Sequence, residues 1–186
     1  TDLNTDYKNT VMLLDKYHVN YIDGHRIFME QKNNSKYPLF AKGGIHWNYY
    51  GTSLVINKLL DKVESLGKKN LTKIDLSHID LDDYAKGKEN DLALLLNIWT
   101  DPTKETYPHP RFQRIVGKNE FKPNTLIVGH SFSELIAELL ENYNITNNLC
   151  RFYYYSSYVN YTLREYGEIG KLDWNQDVFK RDLIIV

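Results

Sequence analysis

Apolar positions along the chain change rhythm several times, and each change marks an element. Leu126-Ile127-Val128 is a continuous apolar, partly β-branched run, too short for a helix, which predicts a strand buried on both faces. After it, Leu135, Ile136, Leu139 and Leu140 recur at helical spacing, with Glu134 and Glu138 near the start of the predicted helix, where the dipole favours acids. Asn48 opens a second amphipathic helix through Leu54, Leu59, Leu60, Val63 and Leu66, stopped by Gly67. Tyr7, Val11 and Leu14 predict a helix from Thr5 to Tyr17 with Asn4 or Thr5 as its cap.

The intervening segments read more weakly. Val19 to Asp23 is a short strand ending in Asp-Gly, and His25 to Gln31 forms a helical turn or two. Lys36 to Ile45 is a loop with Pro38, Gly43 and Gly44. Leu71 to Leu81 alternates in part and predicts an exposed strand or extended arm, whereas Asp91 to Trp99 is a mostly apolar helix. Pro102, Pro108 and Pro110 make Thr100 to Arg111 a surface loop, and Phe112 to Phe121 is read as an edge strand. Asn142 to Asn148 is a polar turn, Leu149 to Tyr155 an aromatic strand, and Asp182 to Val186 a last buried strand; Ser156 to Tyr166 fits helix or loop equally. Short buried strands alternating with helices predict a three-layer α/β/α domain, doubly wound around a mainly parallel sheet, in a single domain over 1–186.

Composition narrows the function classes. A net charge of −1 leaves no basic footprint for nucleic acid. Hydrophobic residues are 42% of the chain, but no run reaches the ~18 apolar residues of a membrane span. The single cysteine, Cys150, rules out an internal disulfide and, in its aromatic run, is expected to be a buried inert thiol. The chain begins inside a helix-like pattern and stops in a strand-like one, so an excised piece of a longer protein is expected. Fifteen Tyr and three Trp suit a carbohydrate-facing surface or an aromatic core.

Two motifs carry candidate chemistry. In Leu126-Ile-Val-Gly-His-Ser-Phe-Ser133, Gly129 permits a sharp turn and places Ser131 between a strand end and a helix start, where backbone N–H groups can hold an oxyanion. Capping of that helix is the competing role for Ser131. In Gly43-Gly-Ile-His-Trp-Asn-Tyr-Tyr-Gly51, His46 lies on a loop before a helix, a place suited to a catalytic imidazole or to a structural one packed beside Trp47. Gly129 to Ser133 is similar to the Gly-x-Ser-x-Gly elbow, with Ser133 at the last glycine. No histidine follows Ser131, which excludes the chain order of an α/β-hydrolase triad. His46, His130 and Asp23 lack the spacing of a metal site, so no metal is expected. His18, His78 and His109 are expected to be solvated, and Tyr153, Tyr154, Tyr155 and Tyr158 to be shared between a sugar cleft and the core.

His46-Trp47-Asn48 with Gly51, then a helix, then Asp91-Leu-Ala93, then Leu126 to Ser133, resembles the SGNH-hydrolase-like domain of the alginate-type polysaccharide O-acetyltransferases, in which the His-Trp motif precedes the Ser motif. The resemblance runs from about Val19 to Val186. It implies transfer of acetyl groups to hydroxyls of an exported bacterial polysaccharide outside the cytoplasm. It also implies a membrane-embedded acetyl-donor partner, a membrane-associated full-length protein, and no cofactor beyond the acetyl donor. Ser131 would be the nucleophile and His46 its base. Gly129, His130, Phe132, Trp47, Asn48 and Tyr155 would line the substrate or oxyanion site.

Two positions depart from that family's pattern. Gly44 stands where the family often has the Asp of Asp-x-His-Trp, and His130 where it has the Asp of Gly-Asp-Ser. Asp23, at the end of a predicted strand, is the substitute acid this reading offers, with capping of the Asp-Gly turn as its other role. Two functions follow: a serine-dependent O-acetyltransferase or acetylesterase, or a catalytically weak domain that binds carbohydrate or assembles with a membrane partner.

Overall fold

The structure, a computed structural model, describes residues 5–97, 104–111, 113–154 and 156–186. Helices α1 (Thr5–Lys16) and α2 (Gly24–Gln31) precede the long α3 (Tyr49–Gly67). Strands β1 (Lys73–Ile74) and β2 (Ile79–Asp82), helix α4 (Asp91–Leu95), and strands β3 (Tyr107–Pro110) and β4 (Arg114–Ile115) form the middle of the chain. Then come β5 (Asn124–Gly129), α5 (Phe132–Asn142), β6 (Asn148–Tyr153), β7 (Ser157–Asn160), β8 (Glu165–Glu168), a 3-10 turn Ile169–Lys171, α6 (Trp174–Asp177) and β9 (Leu183–Ile185).

The main sheet has five strands in the order β8-β7-β6-β5-β9. β5 lies parallel to both β6 and β9, while β6-β7 and β7-β8 are antiparallel. The expected mainly parallel sheet is therefore mixed, its parallel half confined to the three strands that flank the Ser131 motif. The antiparallel half arises because Tyr154 takes a left-handed backbone (φ 48°) and a tight connection returns the chain beside β6; a parallel neighbour would need a longer crossover. β1 pairs with β4, and β2 with β3, in two separate antiparallel ladders.

Alternation along β5 and β6 divides the core. Ile127 and Leu149 face a cluster with Ile56 and Leu60 of α3 and Leu135, Leu139 and Leu140 of α5. Leu126, Cys150 and Phe152 face the other way, against Ile169 and Val178 near the 3-10 turn and α6. One face thus carries long helices and the other a thin cover. Ile56 and Leu60, one helical turn apart, are 0% and 1% exposed, so truncating either would leave a cavity costing about 2–5 kcal/mol. Burial pushes the Cys150 thiol up to about 11, which keeps it protonated and inert.

Four expectations change. Val19–Ile22 joins no sheet among the described residues; the segment runs irregularly between α1 and α2, with Val19 exposed. Residues 107–110 form a buried strand instead of a surface loop, with Leu81 opposite Pro108 and Ile79 opposite Pro110. Prolines at alternate positions leave the intervening N–H groups for the ladder, so a two-stranded edge accepts both. Around Asp91 the described helix ends at Leu95, and Trp99 lies outside the described residues. Of the expected strand from Phe112 to Phe121, only Arg114–Ile115 is paired, and Phe112 is outside the described residues.

Candidate active site

The loop that carries His46 is held from both sides. Asn48 caps α3, its Oδ1 accepting from Gly51 N at 2.8 Å, while its Nδ2 donates to the Pro38 carbonyl at 2.7 Å. Asn48 N–H donates to the Leu39 carbonyl at 3.0 Å, and Phe40 bridges to Trp47. Asn48 is 1% exposed with both ends of its amide engaged, so it is a structural clamp and not the substrate contact expected from sequence. A Cβ at Gly51 would lie 2.5 Å from the Leu39 carbonyl oxygen, so glycine is required for this approach.

His46 is buried between two partners. Its Nδ1 lies 2.6 Å from Asp91 Oδ2, and its Nε2 lies 2.9 Å from Ser131 Oγ. The carboxylate can only accept, so Nδ1 carries the proton and Nε2 is left to accept from the serine hydroxyl. Asp91 Oδ1 also accepts from Ile45 N at 3.0 Å, which fixes the carboxylate against the same loop. The structure therefore brings the His46 and Ser131 side chains within hydrogen-bond distance and sets the carboxylate of Asp91, the first residue of α4, against the other ring nitrogen.

Asp23 has a different place. It caps α2, with Oδ1 accepting from Arg26 N at 2.9 Å and Oδ2 from the Tyr7 hydroxyl at 2.6 Å. Burial opposes its charge, but the Tyr7 hydroxyl and the Arg26 N–H hold the carboxyl below its usual value. Its proposed route to the site required Val19–Ile22 to be a sheet strand, and that strand does not form. The capping role is the one observed.

A network behind Asp91 missed by the sequence reading anchors it. Glu89, 0% exposed, accepts from Tyr49 N at 3.1 Å, Lys86 N at 2.9 Å and His109 Nε2 at 2.8 Å. His109 Nδ1 lies 2.7 Å from Asp82 Oδ2, and the imidazole is 4% exposed, a correction to its expected solvation. Hydrogen bonding to His109, then to Lys86, lowers the Asp82 carboxyl below its usual value. Ala93 N donates to the Gly43 carbonyl at 3.0 Å, tying α4 to the His46 loop. At Gly44 a Cβ would stand 2.7 Å from the Glu89 carbonyl oxygen and 2.8 Å from that of Lys88. Gly44 thus lacks a carboxylate because the backbone that delivers Asp91 occupies the space.

Ser131 sits at the turn into α5 with φ −57° and ψ −29°, so its backbone is helical and unstrained. At this helix start the N–H groups of Ser133 and Glu134 already reach the carbonyls of His130 and Ser131, at 3.0 Å and 3.1 Å. Gly129 makes the turn possible, since a Cβ there would meet Ser133 Cβ and Oγ at 2.9 Å. His130 is exposed, its Nδ1 accepting from Phe132 N at 3.3 Å. The Phe132 ring lies 4.6 Å from the His46 ring and 5.5 Å from Trp47.

Phe132 and Trp47 form a wall shared by two cavities. One, of about 640 Å³, is lined by Phe28, Met29, Leu39 and Phe40 as well as the wall. The other, of about 500 Å³, includes Val128, Gly129, His130 and Tyr154. Tyr155 lies outside the described residues. Among the described residues, no group of three or more His, Cys, Asp or Glu is arranged to hold a metal ion, and no helix is long and apolar enough to cross a membrane.

No family model matches this chain. No curated protein matches it. Among solved structures, the chain is similar to the O-acetyltransferase domain of Pseudomonas putida AlgJ, at 13% identity and a TM-score of 0.47, over 82% of this chain. The aligned part spans about half, 54%, of that structure's length.

Proposed function

We propose that this domain is a serine-dependent O-acetyltransferase or acetylesterase acting on hydroxyls of an exported polysaccharide. The observation that carries the reading is the hydrogen-bonded line Asp91–His46–Ser131, with both contacts under 3 Å and the imidazole buried. Ser131 Oγ attacks the acetyl carbonyl carbon as its proton passes to His46 Nε2. The imidazolium then returns the proton to the leaving group, and an acetyl-serine remains. An acceptor hydroxyl, or water, reverses the sequence with His46 again as base. Asp91 holds the tautomer and stabilises the imidazolium.

The aromatic wall of Phe132 and Trp47, with the Phe132 ring against His46, supplies apolar faces on which sugar rings can lie in either cavity. An extracytoplasmic place in a bacterial envelope, a membrane-embedded acetyl-donor partner and the three-layer SGNH architecture belong to the same reading. The test is covalent trapping. An organophosphonate or sulfonyl fluoride should label Ser131 in the wild type and leave Ser131→Ala unlabelled. Turnover of an aryl acetate should fall by about 10⁴-fold or more in Ser131→Ala, as in other serine triads. A folded wild type with neither labelling nor turnover, but with measurable glycan binding, would establish a binding domain instead.

A further inference from the structure

We infer that Arg151 and Ser133 together position the His130–Ser131 peptide so that its N–H is the oxyanion donor; the inference rests on the reading of Ser131 as nucleophile. Arg151 lies on β6 opposite Ile127 of β5, and its side chain is 5% exposed. Its Nε donates to Ser133 Oγ at 2.9 Å. The Ser133 hydroxyl in turn donates to the His130 carbonyl at 2.6 Å. Ser133 N–H reaches the same carbonyl at 3.0 Å, and the Arg151 terminal nitrogen reaches it at 3.5 Å. One carbonyl oxygen therefore gathers donors from a backbone amide, a hydroxyl and a guanidinium.

That carbonyl belongs to the same peptide unit as the Ser131 N–H. The described chain has no cis peptide, so C=O and N–H of this unit point in opposite directions. Pinning the oxygen toward Ser133 and Arg151 aims the N–H away from them. Donation to the oxygen also polarises the amide and strengthens its N–H as a donor. Glu134, 3.9 Å away, and the Tyr153 ring, 4.8 Å away, share the guanidinium charge. An apolar side chain would fill this place without the desolvation of a buried charge; what the guanidinium adds is directed donors.

In the acylation step the new Ser131 Oγ–carbon bond forms, the carbonyl π pair moves onto oxygen, and the serine proton moves to His46. Collapse of the oxyanion expels the leaving group, which takes that proton. Only the oxyanion stage draws on the aimed N–H, so the effect belongs in kcat and not in KM.

The test uses Ser133→Ala and Arg151→Lys in the intact domain. It measures aryl acetate kinetics and the affinity for a small alkylboronate, whose adduct with Ser131 Oγ is tetrahedral. Both variants should lower kcat by about 10- to 100-fold, below the 10²–10³ of deleting a donor outright, with KM within twofold and boronate affinity falling in parallel. Ser133→Ala removes only a hydroxyl and decides the matter if Arg151→Lys does not fold. A folded Ser133→Ala with kcat and boronate affinity within twofold of wild type, or with a loss confined to KM, overturns the inference and leaves Ser131 as nucleophile. A wild type with no Ser131-dependent turnover and no boronate adduct overturns both.

Discussion

His46 and Asp91 are 45 residues apart in sequence, yet their Nδ1 and Oδ2 atoms are 2.6 Å apart. No local motif joins them. The contact depends on the Gly43–Ala93 backbone bond and on the Glu89 network that holds the turn before α4.

Asp91→Asn keeps the size of the side chain but lets its amide favour the wrong histidine tautomer. The equivalent change in the serine-protease template costs about 10⁴ in turnover, and a similar loss is expected here. Steady-state aryl acetate kinetics check it. Turnover within a few fold of wild type would remove Asp91 from the mechanism.

Asp23→Ala should behave oppositely. It removes a helix cap worth about 1 kcal/mol, so the thermal midpoint should drop by a few degrees while turnover is retained. A loss of activity matching that of Asp91→Asn, with the fold intact, would return Asp23 to the site.

Gly44→Asp, which would recreate the family's Asp-x-His-Trp pattern, is expected to reduce activity and stability together. Its Cβ would stand 2.7 Å from the Glu89 carbonyl oxygen, so the turn carrying Asp91 must shift. Thermal melting and turnover measured on the same preparation check it. A gain in turnover at unchanged stability would show that the loop accepts a second carboxylate.

The Asp82 carboxyl is lowered in the fold by His109 and Lys86. A depressed carboxyl contributes stability above its unfolded value of about 3.9, and the contribution is lost as pH falls through the folded value. Stability should therefore drop as the pH is taken below about 4, and Asp82→Asn should flatten that part of the profile. Denaturant midpoints between pH 7 and pH 3 measure this. An unchanged slope in the variant would remove Asp82 from the acid response.

The parts legible from sequence were those governed by neighbours in the chain. Leu126–Val128, Gly129 and the periodic leucines after Ser131 specify strand, turn and helix locally, and the structure has all three. His46 was legible because a glycine pair and the Asn48 cap bracket it. Asp91 had a signal too, since it opens an apolar helix between the two motifs, but only packing shows that the helix faces His46. Residues 107–110 were hidden because proline spacing resembles a loop unless the partner strand is known. Val19–Ile22 has the composition of a strand, but a strand also needs an edge to join, and composition carries no information about that.

The site draws one group from each of three distant segments: His46 pairs with Ser131 across 85 residues and with Asp91 across 45. Ser131 is thus an ordinary alcohol in the newly made chain. It acquires an imidazole partner only when α3, α4 and the β5–α5 turn have docked. On the proposed function, chemical reactivity at this one oxygen is a reporter of completed folding, and a misassembled molecule would be silent instead of indiscriminately reactive.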